Sequence, residues 1–320
     1  MPRTGQERLL IIFPGALGDL ICGLPAIRAI ARRHSQASLE LMARAELARF
    51  AVGRMGAEHG YSIDRREMGQ LFLPPAVVDL KPMRVLFGGF QHIYSFFAED
   101  NPAFRTSLAL AAGGPVVFIP FRPPGEGHIA ECYLRTIEPN AEAKTIERDA
   151  LAGSPIELLP EDLESAEEVI ARFGLKAGGF LLILPGSGSA AKNWPADHFA
   201  SLAEILAPQL PPLVLIGPAE AAIVPLFREN KLPLAEGLEL GTVAGLARLA
   251  RGFIGNDSGV AHLAASLGAP GISIFGPTDP ARWRPLGRVE IIRREPLSML
   301  EPGEVARRLI NTTMGLNLDP

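Results

Sequence analysis

Cysteine is scarce in this 320-residue chain, with Cys22 and Cys132 the only two. Neither has a neighbour at the spacing of a metal ligand or a redox pair, so a disulfide scaffold and a thiolate metal site are both excluded, and a reducing cytoplasmic location is expected. Both read as buried apolar fillers. Long apolar runs are missing too: Leu9-Leu10-Ile11-Ile12-Phe13 is far shorter than the roughly 20 residues a membrane-crossing helix needs, and the segment before it has no signal-peptide cleavage pattern. A soluble protein is the expectation, with peripheral membrane contact left open. Positive charge is not in excess either. Lys and Arg number 31 against 35 Asp and Glu, a net charge of −4, so no general positive field exists to hold nucleic acid and none is expected as a partner. Any anionic ligand must be met by local geometry.

What is present is apolar residue, 48% of the chain, enough for two cores at the usual size of about 150 residues per domain. Apolar runs alternate with helical periodicity. Strands are expected at 9–13, 38–42, 84–87, 92–95 and about 115–119, with helices at 19–33, 45–53 and 128–137. Periodicity then lapses over 138–160, the best linker candidate. A second cycle follows: helices at 161–173, 195–207, 219–229, 242–251 and 259–267, and strands at 180–184, 213–216, 252–255 and 271–275. This is an α/β pattern of two Rossmann-like halves, 1–155 and 156–320, with parallel sheets. A final helix over 302–313 could pack on either half.

Ligands of open α/β sheets bind beyond the carboxyl ends of the strands, which makes the strand-to-helix loops the places to look. After the first strand, Pro14-Gly15-Ala16-Leu17-Gly18-Asp19 reads as a tight turn at Gly15 and Gly18. Asp19 then stands at the helix start, as a cap or as a carboxylate available for general-base work. The spacing is not that of a dinucleotide fingerprint. After the strand at 180–184, Pro185-Gly186-Ser187-Gly188-Ser189-Ala190-Ala191-Lys192 offers amides, hydroxyls and one compact cation. That set suits a diphosphate, although a surface lysine in a flexible loop is the plainer alternative, and the Walker A spacing is absent. Glu220 caps a helix or accepts from a ribose hydroxyl. Gly252 to Pro285 is the densest stretch: Asn256-Asp257-Ser258-Gly259 falls where a strand passes into a helix, with amides for an anion and a carboxylate for sugar hydroxyls. Asp257 read alone is as good an N-cap, and His262 one turn later is either aimed at the ligand or simply packed.

Three motifs in order, P-G-A-L-G-D-L-I-C-G-L-P-A-I-R-A-I, L-P-G-S-G-S-A-A-K-N-W-P-A-D-H-F-A-S-L-A and G-N-D-S-G-V-A-H-L-A-A-S-L-G-A-P with F-G-P-T-D-P-A-R-W, extend over nearly the whole chain. Together they resemble the ADP-heptose:lipopolysaccharide heptosyltransferases, inverting glycosyltransferases of family 9 with the GT-B architecture. The resemblance implies two Rossmann-like domains facing a central cleft, with the nucleotide-sugar on the C-terminal half. By position, Asp19 would be the general base, and Gly18 beside it would belong to the donor-binding residues. Ser187, Gly188 and Lys192 would hold the donor phosphates, with Lys192 also stabilising the leaving group. Glu220 would hold the ribose, and Asp257, Ser258, Gly259 and His262 the donor sugar and diphosphate. It further implies an ADP-heptose donor, no metal or other cofactor, and a glycolipid or oligosaccharide acceptor of the lipopolysaccharide core. Relatives commonly end the first strand in a basic residue where Phe13-Pro14 stands here. Arg32, Arg33, Arg44, Arg49, Arg54, Arg65 and Arg66 supply charge in the same half, either as acceptor contacts or as solvated helix faces. A nucleotide-sugar-binding protein without turnover, or a nucleotide-sugar epimerase of similar fold, would carry the same donor pocket.

Overall fold

The computed structural model describes residues 6–77, 79–141 and 156–314. Contacts divide the chain into Met1–Ala143 and Lys144–Pro320. The residues between this division and the boundary at 155 drawn from the sequence lie outside the described ones, as does most of the linker candidate.

In the first unit the elements are β1 (Glu7–Ile12), α1 (Leu17–Arg33), β2 (Ala37–Ala43), α2 (Ala45–Ala51), β3 (His59–Ser62), α3 (Arg66–Gln70), α4 (Lys81–Phe87), β4 (His92–Ser95), α5 (Pro102–Ala111), β5 (Val116–Phe118) and α6 (Ile129–Ile137). The sheet order is β3-β2-β1-β4-β5, every pair parallel. β1 is central, and Leu9 to Ile12 are wholly buried because helices cover both faces of a parallel sheet. The order turns back between β1 and β4, so the loop after β1 opens at the switch point where such sheets bind ligands.

The strand expected at 84–87 is a helix. Met83 and Phe87, one turn apart, are buried while Arg84 and Val85 are exposed, a spacing of four that only a helix puts on one face. Pro82 in its first turn suits a helix start and would break a ladder in a strand. Gly18 is likewise not part of the turn before α1: the helix begins at Leu17, and Gly18 belongs to its first turn. Gly15 is the residue the turn requires, since a Cβ there would lie 2.6 Å from Asp19 Cβ and 2.7 Å from the Phe13 ring.

The second unit contains α7 (Pro160–Arg172), β6 (Leu181–Leu184), α8 (Ala196–Leu206), β7 (Pro212–Ile216), α9 (Val224–Glu229), β8 (Leu234–Glu236), α10 (Leu240–Leu249), β9 (Gly252–Asn256), α11 (Gly259–Ser266), β10 (Gly271–Phe275), α12 (Pro280–Trp283), β11 (Val289–Arg293) and α13 (Pro302–Met314). Its parallel sheet runs β11-β10-β9-β6-β7-β8, the doubly wound order with the switch point between β6 and β9. β6, β7, β9 and β10 are buried along their whole lengths, and the core between them and the helices includes Trp194, Phe199 and Phe227. α13 packs against α8 and β10, with Val305 and Leu309 in this same core. Among the described residues no helix is long and apolar enough to cross a membrane.

Candidate functional site

At the first switch point β1 ends at Ile12, and the chain passes through Phe13 and Gly15 into α1. Asp19, in the third position of the helix, is buried and turns its carboxylate back to accept from the Ala16 N–H at 3.2 Å. The capping reading of this residue therefore holds, but it is only part of the geometry. Arg122, on the loop after β5, donates from Nε to Oδ1 at 3.0 Å and from Nη2 to Oδ2 at 3.1 Å. Its backbone N–H donates to the hydroxyl of fully buried Tyr133, and its guanidinium lies 5.1 Å from the Phe121 ring centroid. The hydrogen bond to Asp19 raises the guanidinium above its ordinary range despite burial, while burial raises the Tyr133 phenol well above its own. Arg122 has φ +57, a left-handed conformation that costs an L-residue with a side chain about 1–2 kcal/mol. Reading the sequence missed this residue. The signal available was a Pro- and Gly-rich loop, F-R-P-P-G-E-G, at the carboxyl end of a strand.

At the second switch point the loops after β6 and β9 meet. Lys192 closes a single turn of 3-10 helix, Ala190–Lys192, and its Nζ donates to Asp257 Oδ2 at 2.7 Å. Lys192 is one-third exposed and Asp257 only 7%, so the lysine reaches inward to a carboxylate that burial would otherwise penalise. Asp257 does not cap α11. Ser258 does, its Oγ accepting from the Ala261 N–H at 3.3 Å, while the Asp257 N–H continues the sheet by donating to Ile274 O. The carboxylate of Asp257 is thereby left to Lys192. Gly259 opens α11, and the His262 side chain is buried one turn on.

Asn256 holds the two loops in register. Fully buried at the end of β9, it accepts from the Trp194 N–H at 2.9 Å and donates to Pro185 O at 2.7 Å, fastening both ends of the loop that carries Lys192. Ser187 Oγ lies 2.6 Å from Asn193 Oδ1 and 2.8 Å from Ser189 O, and its single proton serves one of them at a time. Gly188 is exposed with open space where a Cβ would be. Glu220, after β7, accepts from the Gly217 N–H at 2.9 Å, so it caps its 3-10 turn. A Cβ on Gly186 would overlap its carboxylate, which places Glu220 against the start of the Lys192 loop.

Lys192, Asp257, Ser258, Gly259, Ser187, Gly188, Glu220 and His262 thus all lie on loops and a helix start at the carboxyl ends of β6, β7 and β9, where a doubly wound sheet takes a nucleotide. Asp19 and Gly18 occupy the corresponding place on the first unit's sheet. Among the described residues no three His, Cys, Asp or Glu side chains are grouped as metal ligands.

The family model described as glycosyltransferase family 9 (heptosyltransferase) matches residues 145–301. Lipooligosaccharide heptosyltransferase 2 of Haemophilus influenzae is 29% identical over 177 residues, which cover 52% of this chain and 50% of that protein. The match thus spans about half the length of that curated relative. Among solved structures, the glycosyl transferase family 9 protein of Veillonella parvula has a TM-score of 0.76 at 18% identity, covering 96% of this chain and 97% of that one. Escherichia coli heptosyltransferase WaaC with ADP has a TM-score of 0.66 at 18% identity, covering 94% and 98%. These structural likenesses establish the fold, two parallel α/β sheets of the GT-B class. Residues 145–301, just under half of the chain, thus carry the likeness to glycosyltransferase family 9, the heptosyltransferase family.

Proposed function

We propose that this protein is an inverting glycosyltransferase that moves heptose from ADP-heptose to a lipopolysaccharide-core or related glycolipid acceptor, working in the cytoplasm. The observation that carries the reading is the joining of Lys192 to Asp257 at the switch point of the sheet that the family model covers. A compact cation beside hydroxyls and amides suits a diphosphate leaving group, and a carboxylate beside it suits sugar hydroxyls. Lys192, with the start of α11, takes the charge that develops on the departing diphosphate without a metal ion. Ser187 and Gly188 line the phosphate path, Glu220 takes the ribose, and Asp257, Ser258, Gly259 and His262 take the sugar and diphosphate. The solved relative with bound ADP supports the choice of nucleotide.

The acceptor belongs to the N-terminal unit, where Asp19 is the general base. Its carboxylate removes the proton of the attacking hydroxyl as the bond to the anomeric carbon forms, so one displacement inverts the configuration and no covalent sugar–enzyme intermediate arises. Calorimetric titration with ADP, UDP and GDP, with and without EDTA, tests the donor assignment. Selective ADP binding unchanged by EDTA is expected; preference for UDP, or dependence on a metal, contradicts it. Conversion of the nucleotide-sugar without acceptor would instead indicate an epimerase.

A further inference from the structure

Asp19 presents its two oxygens unequally. Oδ2 accepts from the Ala16 N–H and from Arg122 Nη2, whereas Oδ1 accepts from Arg122 Nε alone among the described residues. A carboxylate oxygen has two lone-pair directions. Oδ2 is therefore saturated and Oδ1 keeps one direction open. We infer that Arg122 is a positioning residue that fixes the Asp19 carboxylate so that Oδ1 takes the acceptor's proton; this rests on the general-base role proposed for Asp19.

The reasoning is geometric. A planar guanidinium bonded to both oxygens sets the plane of the carboxylate as well as its position, which one backbone N–H cannot do. Arg122 is itself held from three sides: its N–H by the Tyr133 hydroxyl, its guanidinium beside the Phe121 ring, and its Nε and Nη2 by Asp19. A left-handed non-glycine residue persists where its surroundings over-determine it, and such strain collects where geometry has a task. The Arg122 side chain is 53% exposed while that of Asp19 is 8% exposed, so a half-solvated cation governs a nearly buried carboxylate.

In the step itself the acceptor oxygen bonds to the anomeric carbon. The bond from that carbon to the diphosphate breaks with its electron pair on the leaving group, and the hydroxyl proton passes to Oδ1. Arg122 transfers nothing and stays charged throughout.

The test compares the full-length protein with Arg122→Ala, Arg122→Lys and Asp19→Asn. ADP-heptose is the donor and a lipid-linked acidic sugar the acceptor, with kcat, both KM values, ADP affinity and Tm measured for each. Loss of placement on the scale of 1 Å reduces rates by about 100-fold. Arg122→Ala is therefore expected to lower kcat by about 10- to 100-fold with ADP affinity and Tm little changed. Arg122→Lys should recover part of kcat, because an ammonium cannot fork. Added guanidinium chloride should raise kcat for Arg122→Ala and leave Asp19→Asn inactive. Wild-type kcat in Arg122→Ala beside an inactive Asp19→Asn overturns the positioning role while keeping Asp19 as the base. A change confined to acceptor KM, or a lowered Tm with no rescue by guanidinium, also overturns it. Full transfer by Asp19→Asn removes the base role and the inference together.

Discussion

Lys192 and Asp257, 65 positions apart, are joined at 2.7 Å across the loops after β6 and β9. The ion pair fixes the ammonium proposed to meet the donor's phosphates and neutralises a carboxylate that is nearly buried. A diphosphate would compete with Asp257 for the ammonium, releasing the carboxylate to the sugar.

Lys192→Met should weaken ADP binding by about 10- to 100-fold, the loss of one charged hydrogen bond of roughly 1.5–3 kcal/mol. Asp257→Asn should behave oppositely toward ADP. With its lysine released it should bind ADP at least as tightly as the wild type, while ADP-heptose loses its advantage over ADP. Calorimetry with both ligands checks the pair of variants, and equal loss of ADP affinity in the two would contradict the exchange.

Asn256→Ala removes a donor and an acceptor from the fully buried junction of two loops, orphaning the Trp194 N–H and the Pro185 carbonyl. Leaving buried polar groups unsatisfied costs about 1–3 kcal/mol each. At roughly 2–4 °C per kcal/mol for a unit of this size, Tm should fall by several degrees in a thermal melt, with ADP affinity falling too. An unchanged melt would mean that water replaces both bonds.

Gly186→Ala would drive a methyl group into the Glu220 carboxylate. Because that carboxylate ends a flexible side chain, it can swing away, and the fold should survive with Tm within a few degrees of the wild type. ADP affinity should drop as far as in Glu220→Ala, and the double variant should show no further loss. Additive losses in calorimetry would separate the two residues.

The first unit should also weaken under mild acid. His34 stacks on His92 at 3.9 Å between ring centroids and shares a 2.9 Å hydrogen bond with Tyr94 Oη. Burial first, then the neighbouring His92 and Arg33, lower its pKa below the ordinary 6.5, with Glu7 acting the other way. A base depressed in the folded state takes up protons more readily when unfolded. Its contribution is thus complete above the unfolded value and lost as pH falls below it. Urea midpoints should decline from pH 7 to pH 5, and the slope should flatten in His34→Gln. A slope unchanged in that variant would assign the acid sensitivity elsewhere.

The buried strands were legible in the sequence because each is an apolar run bounded by Gly or Pro: β1, β6, β7, β9 and β10 fall within a residue or two of their expected limits. The short edge strands β3, β8 and β11 were not. Such strands pair on one side and are partly exposed, so their residues carry no continuous apolar signature. α4 misled because M-R-V-L-F is equally a strand until the burial of Met83 and Phe87 is known. In the site, the placement of Lys192, Asp257 and Glu220 on strand-to-helix loops followed from local pattern. The long-range partners did not: the bond from Arg122 to Asp19 spans 103 positions, and only the assembled sheet brings those loops together. The capping of α11 by Ser258 rather than Asp257 likewise turns on one φ/ψ choice that composition does not fix.

Whether Asp19 is the base is decided most directly by single-turnover transfer from saturating ADP-heptose to the lipid-linked acceptor, comparing the wild-type protein with Asp19→Asn. General-base catalysis contributes about 10²- to 10⁴-fold. The predicted result is a fall in transfer rate of that size with ADP-heptose affinity retained. Transfer by Asp19→Asn at the wild-type rate would contradict the account.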